Sequence, residues 1–280
     1  MNYRNILKKG SSILQKNSIA TANIDAELLL SISLKKSREK ILLNLEKKIN
    51  PENIKIYFKL IKRRKKKEPI SFISGKKFFW KNQFYVNKNV LTPRPETEFL
   101  VEEVLKILKF KTRISVLDVG LGSGCILLSL LNEKKMWSGT GVDLSDLAVK
   151  IAKNNAKIQQ IHNRIKFIKS DIDKVFLGKY DLVVSNPPYI NKIGYNNLDL
   201  GVKNYEPKMA LYGGIDGFDI IEKVIKKSKI VLKNNGLLAM EIGQGQSYSV
   251  ERLLKNNGFY ILKIIKDYQN IKRCILANKI

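Results

Sequence analysis

The sequence predicts an α/β protein built on a doubly wound, mostly parallel sheet, with a smaller helical domain ahead of it. Three observations lead there. From Ile114 onward, short apolar runs alternate with helical patterns, as strand–helix–strand units require. The first of these runs ends in a glycine-rich turn, Asp118-Val119-Gly120-Leu121-Gly122-Ser123-Gly124, of the kind that lets backbone approach a ligand at a sheet's carboxyl edge. The last two apolar runs, Phe259 to Ile265 and Ile271 to Ala277, are separated only by Lys266 to Asn270, so they form a hairpin and add one antiparallel strand.

Taken in order, residues 1 to about 66 carry apolar residues at spacings of three and four: Ile6, Ile13 and Leu14, then Ala26, Leu29 and Leu30, then Ile54, Tyr57, Phe58 and Ile61. Acids or proline mark helix starts at Ile24-Asp25-Ala26-Glu27 and Pro51-Glu52. Residues 1–75 are therefore expected to form a helical domain. Residues 76–92 change character: Phe78-Phe79-Trp80 and Phe84-Tyr85-Val86 flank Lys81-Asn82-Gln83, a β-hairpin expected to link the domains.

Residues 93–280 form the remaining domain. Its first helix starts within Thr92-Pro93-Arg94-Pro95-Glu96-Thr97-Glu98 and runs through Leu108. Strands are expected at 114–119, 138–142, 165–168, 182–185 and 237–242, with helices at 126–131, 148–156 and 220–232 between them.

Composition narrows the function classes. Of 280 residues, 52 are Lys or Arg and 25 Asp or Glu, a formal charge of +27 that invites an anionic partner. Only nine of the 52 are arginine, whereas bidentate phosphate or base contacts favour arginine. A codon bias toward lysine explains the excess as well, and direct nucleic-acid binding stays open. The densest patch is Lys62-Arg63-Arg64-Lys65-Lys66-Lys67. Cys125 and Cys274 have no metal-ligand spacing and suit a reduced compartment; a single histidine, His162, excludes a Ser-His-Asp triad and a His-rich metal site. No stretch approaches a membrane span, so a cytoplasmic protein is expected, with no metal and no surface stripe that demands more than a monomer.

Chemistry concentrates at the strand ends. A dinucleotide fingerprint wants Gly-x-Gly-x-x-Gly, but here the third glycine comes one residue early and Cys125 takes the expected place, which argues against a pyrophosphate ligand. Asp118 opposes phosphate too and suits a cationic amino acid. The second strand ends in Asp143, placed to accept from a ribose diol, and the third in Ser170-Asp171, within reach of a base amine. The fourth runs into Asn186-Pro187-Pro188-Tyr189. Two prolines stiffen this loop and remove two backbone donors, leaving acceptors: the Asn186 carboxamide oxygen and the Pro187 carbonyl. With an aromatic ring beside them they suit a planar NH2 group, an amide or an exocyclic base amine; a turn that merely shapes the backbone is the bland alternative.

Together, Asp-x-Gly-x-Gly-x-Gly, Asp143, Asp171 and the Asn-Pro-Pro-Tyr tetrad resemble the S-adenosylmethionine-dependent methyltransferases with a Rossmann-like fold, in their amino-methylating branches. Further segments resemble the release factor glutamine methyltransferase family, HemK or PrmC: Glu68-Pro69-Ile70 with Gly75, Phe79-Trp80, Pro93 to Glu98, Tyr205-Glu206-Pro207, Gly213-Gly214 with Asp216-Gly217, and Glu241-Ile242-Gly243. The resemblance implies methyl transfer from S-adenosylmethionine to the glutamine amide of the Gly-Gly-Gln loop in peptide chain release factors, with S-adenosylhomocysteine as second product and the N-terminal domain holding the protein substrate. It implies cofactor contacts from Gly120, Leu121, Gly122, Ser123, Gly124, Asp143, Asp171, Ile172 and Asn186. Asn186, Pro187, Pro188 and Tyr189 would bind the amide, with Asn186, Pro187 and Tyr189 catalytic. Leu121 stands where the family usually has threonine, and Ile172 where some relatives place an aromatic ring. An adenine N6 methyltransferase acting on nucleic acid is the alternative, since it needs the same acceptors.

Overall fold

A computed structural model describes residues 1–174 and 178–280, which divide into two compact units: Met1–Gly75 with Asp199–Tyr205, and Lys76–Leu198 with Glu206–Ile280.

The first unit holds α1 (Tyr3–Gln15), α2 (Ala22–Leu34), α3 (Arg38–Leu42), α4 (Pro51–Lys65) and α5 (Ile70–Ser74). Asn2 and Asn50 cap α1 and α4 by accepting the backbone N–H of Asn5 and Asn53, and Pro51 occupies the first turn of α4, where its missing N–H costs nothing. The apolar positions spaced at three and four converge on one core of Ile6, Leu14, Ala26, Leu29, Leu30, Ile41, Tyr57 and Ile61. Gly10 lets α1 approach Tyr57 so closely that a Cβ there would stand 1.9 Å from the phenol oxygen. The basic run is partly committed to structure. Arg63 pairs with Glu68, Arg64 bonds Asp25 at 2.7 Å and the Glu68 carbonyl at 3.1 Å, and Lys67 lies 3.6 Å from Asp199, while Lys62, Lys65 and Lys66 face solvent.

The second unit opens with a hairpin, β1 (Lys76–Phe79) and β2 (Asn82–Tyr85). Its turn falls on Trp80-Lys81, one residue earlier than the sequence suggests, because Trp80 adopts φ +54° and is held there: its N–H donates to Glu98 and its indole N–H to Glu133. The hairpin belongs to this unit, with Tyr85 exchanging backbone hydrogen bonds with the Asn155 carboxamide.

A 3-10 turn at Pro95–Thr97 leads into α6 (Glu98–Ile107). There follow β3 (Ser115–Val119), α7 (Cys125–Glu133), β4 (Ser138–Asp143), α8 (Asp146–Ile158), β5 (Ile165–Lys169), β6 (Tyr180–Ser185), the short α9 (Lys192–Asn196), then α10 (Leu200–Lys203), which belongs to the first unit, and α11 (Asp219–Val231), β7 (Leu232–Glu241), α12 (Ser247–Asn256), β8 (Phe259–Lys266) and β9 (Lys272–Lys279). Among the described residues they make a seven-stranded sheet of order β5-β4-β3-β6-β7-β9-β8, parallel except for β9. This is the expected Rossmann-like architecture with its single antiparallel strand. Alternate residues Leu117, Val119 and Val183 join α11 and α12 in one core cluster, while Val116, Leu182 and Val184 are buried between them in sequence. After β5 the chain returns to the other side of β3, so the strand order reverses between β3 and β6. That is the point at which an open α/β sheet presents a crevice beyond its carboxyl ends.

Candidate active site

The crevice is a cavity of about 360 Å³ in the second unit. Register sets its floor: Val119 is level with Val142 on β4 and Ser185 on β6, so Gly120, Asp143 and Asn186 leave the sheet side by side. The Ser185 hydroxyl fastens the loops by donating to the Val119 carbonyl at 2.7 Å, as does the Gly120 N–H to the Val142 carbonyl at 2.9 Å.

Of the expected cofactor residues, Gly120, Leu121, Gly122, Ser123, Asp143, Asp171, Ile172 and Asn186 line the cavity. Gly120 and Gly122 have φ of +77° and +54°, and no atom outside their own loop lies within 3.9 Å of where a Cβ would be, so bare backbone faces the cavity. Asp143 accepts from Gly122 N–H and Ser145 N–H, both at 2.8 Å, which fixes its carboxylate while leaving lone pairs on each oxygen. Burial pushes its pKa up and those N–H groups pull it back. Leu121 is buried across Gly141, filling the space a side chain there would take. Gly124 stands away from the cavity and packs against Leu128 and Ala152. Asp118 also lies outside it. Its Oδ2 accepts from Leu127 N–H at 3.3 Å, its Oδ1 has no partner among the described residues, and burial pushes its pKa up to about 8.

The tetrad divides. Asn186, Pro187 and Pro188 line the cavity, but Tyr189 stands back from it, its hydroxyl donating to Glu241 Oε1 at 3.0 Å. The tetrad is clamped from behind by the segment after α10. Ile190 N–H donates to the Leu211 carbonyl and Gly213 N–H to the Ile190 carbonyl, and Gly213 approaches so closely that a Cβ would lie 2.5 Å from the Pro188 carbonyl oxygen. Gln246 completes the clamp, its amide donating at 3.1 Å to the carbonyls of Tyr189 and Gly217.

One cavity wall is Asn89 to Thr97, a segment whose chemistry composition alone does not disclose. Arg94 Nη2 donates to both oxygens of buried Glu206, at 2.8 and 2.9 Å, tying this wall to the segment that carries Pro207, Met209 and Tyr212 along the opposite rim. Thr97, 1% exposed, donates to Glu241 at 2.6 Å and accepts from Asn186 Nδ2 at 3.2 Å.

Residues 5–75 match the PrmC N-terminal domain and residues 95–199 the methyltransferase small domain. A release factor glutamine methyltransferase of Clostridium acetobutylicum is 38% identical over 280 residues, covering 99% of this chain and 98% of its own length. The chain belongs to the release factor glutamine methyltransferase family. Another relative of that name, from Fusobacterium nucleatum subsp. nucleatum, is 38% identical over 98% of this chain and 78% of its own. Among solved structures, a ribosomal protein L11 methylase from Lactobacillus delbrueckii subsp. bulgaricus superposes with a TM-score of 0.52 at 20% identity, over 69% of this chain and 82% of its own, which is a likeness of fold.

In this member of the family, sequence reading leaves Arg94, Asn155, Thr97, Glu206, Glu241 and Gln246 without roles. A signal for Glu241 exists: a lone carboxylate closing the otherwise apolar run Leu237-Leu238-Ala239-Met240 must find buried donors. Asn155 is likewise a polar residue on a buried helix face, and its amide donates to the carbonyls of Ser123 and Tyr85, tying the glycine loop to the hairpin. Among the described residues no helix is long and apolar enough to cross a membrane, and no group of three or more His, Cys, Asp or Glu could hold a metal.

Proposed function

We propose that this protein transfers a methyl group from S-adenosylmethionine to the side-chain amide nitrogen (N5) of the glutamine in the Gly-Gly-Gln loop of peptide chain release factors, in the cytoplasm. The observation that carries the reading is the Asn186 carboxamide, whose oxygen and the neighbouring Pro187 carbonyl have no hydrogen-bond partner among the described residues, on the wall of a cavity floored by Gly120 to Ser123. Relatives of that name match both units along nearly their whole length, which favours glutamine over the base amine of an adenine N6 methyltransferase.

The cavity fits S-adenosylmethionine. Open backbone at Gly120 and Gly122 would pass beneath its amino-acid end, fixed carboxylate oxygens of Asp143 would accept from a ribose diol, Asp171 would reach the base amine and Ile172 would lie against the base. A volume of about 360 Å³ lies within the range of small-molecule sites. When bound, S-adenosylmethionine supplies an electrophilic methyl group.

An amide nitrogen is a weak nucleophile because its lone pair is delocalised, so the residues here act by orientation and electrostatics. Asn186 Oδ1 and the Pro187 carbonyl would each accept one N–H of the glutamine amide, turning the nitrogen lone pair into the cavity. As positive charge grows on that nitrogen, both acceptors hold it more tightly, which is stabilisation specific to the transition state. The nitrogen then releases one proton to water. Pro188 keeps the loop stiff, and Tyr189 anchors it through Glu241. In the test, the protein is incubated with S-adenosylmethionine and either a release factor or total RNA, and the release factor's glutamine peptide is examined by mass spectrometry. One added methyl group on the glutamine is expected; an unmodified peptide alongside methylated adenine in RNA would overturn the reading in favour of its alternative.

A further inference from the structure

The Asn186 carboxamide could sit in either of two orientations, and only one offers an acceptor to substrate. Its surroundings choose between them. Glu241 lies at the carboxyl end of β7, 2% exposed, held between β6 and β9 through the pairings Met240–Ser185 and Glu241–Cys274. Burial pushes the Glu241 pKa up and its two hydroxyl partners pull it back toward the charged form; as a carboxylate it only accepts, receiving the Tyr189 hydroxyl on Oε1 and the Thr97 hydroxyl on Oε2. The single proton of Thr97 is therefore spent on Glu241, at a short 2.6 Å. What remains on the Thr97 oxygen is lone pairs, so the group 3.2 Å away on Asn186 must be the NH2. The Asn186 oxygen then points the other way.

We infer that Thr97 and Glu241 are positioning residues for methyl transfer: a relay from buried carboxylate through threonine hydroxyl dictates which end of the Asn186 carboxamide meets the substrate. The inference rests on the glutamine reading above and deepens it, since a reversed Asn186 would present two donors to an amide NH2 and repel it. It also gives Tyr189 a part without contact to substrate. The Tyr189 hydroxyl donates to the other oxygen of Glu241, so the buried carboxylate is hydrogen-bonded on both oxygens.

The relay is tested with three variants that preserve side-chain shape. Thr97→Val removes the hydroxyl, Thr97→Ser keeps it, and Glu241→Gln replaces one acceptor oxygen with an NH2, so that Thr97 and Tyr189 no longer both find an acceptor there. Thr97→Val and Glu241→Gln are expected to lose roughly 100-fold in kcat with S-adenosylhomocysteine affinity little changed, and Thr97→Ser to recover most of the rate. A second readout needs no substrate. In 15N-labelled protein the Asn186 side-chain NH2 signals, assigned by their loss in Asn186→Ala, are expected to be protected from solvent exchange in the parent and in Thr97→Ser, and to exchange faster in Thr97→Val. Parental kcat in Thr97→Val, or unchanged NH2 protection in that variant, would overturn the relay. Absence of methyl transfer by the parent itself would fall on the glutamine reading, while the exchange measurement would still decide the orientation.

Discussion

In the proposed mechanism Asn186 acts through one oxygen atom, so its removal should be felt in the rate more than in binding. For Asn186→Ala, single-turnover transfer should fall roughly 100- to 1,000-fold while calorimetry finds S-adenosylhomocysteine affinity nearly intact; an unchanged rate would remove Asn186 from the mechanism. Asp118 makes a separate prediction. Burial raises its pKa from 3.8 to about 8, so the folded protein holds a proton that the unfolded chain releases. Its contribution to stability is therefore complete below 3.8 and is given up as pH rises through about 8. Asp118→Asn should flatten the fall in melting temperature across that interval, and an identical pH profile in the two proteins would contradict it. At this scale Gly120, Asp143 and Asn186 were legible because each follows an apolar strand and so must reach the sheet's edge. Thr97 and Glu241 were not, because their roles depend on partners 89 and 144 residues away.

Helices α1 and α4 show what an element-level contact demands. A methyl group at Gly10 would collide with the Tyr57 phenol, so Gly10→Ala should cost about 1–3 kcal/mol in chemical denaturation. The Tyr57 oxygen is buried without a hydrogen-bond partner among the described residues, so Tyr57→Phe should cost little by itself and should relieve part of the Gly10→Ala penalty. Strictly additive losses would show that the two do not meet. Long periodic elements were legible: α1, α2, α4, α6, α8, α11 and the strands of the sheet. The one-turn helices α3, α5, α9 and α10 offer too few residues for a period, and α12 lies in a stretch whose pattern is half polar. The hairpin turn shifted by one residue because Trp80 takes a backbone conformation that propensity disfavours, compensated by Glu98 and Glu133.

For the whole molecule, a ligand that binds only the folded state raises its stability by mass action. At a hundredfold excess over Kd, S-adenosylhomocysteine should add about 2.7 kcal/mol, read as a thermal shift, with amide exchange slowing at Gly120 to Ser123 and around Asp143. Lack of any shift at saturating ligand would count against the cavity as its site. The architecture and the direction of the sheet were legible from alternating patterns alone. The +27 charge was not decisive, and in the densest basic run both arginines and Lys67 have carboxylate partners.

Strand β9 follows β8 in sequence yet lies between β7 and β8 in the sheet. While a ribosome is making the chain, β7 is therefore complete some thirty residues before the strand that will pair with its outer edge, counting from Glu241 to Lys272. Cys274 comes to rest beside Glu241, and closes β9 over that edge of the sheet, only at the end of this order. Under the proposed relay, the orientation of Asn186 therefore waits on a strand that is among the last parts of the chain to be made.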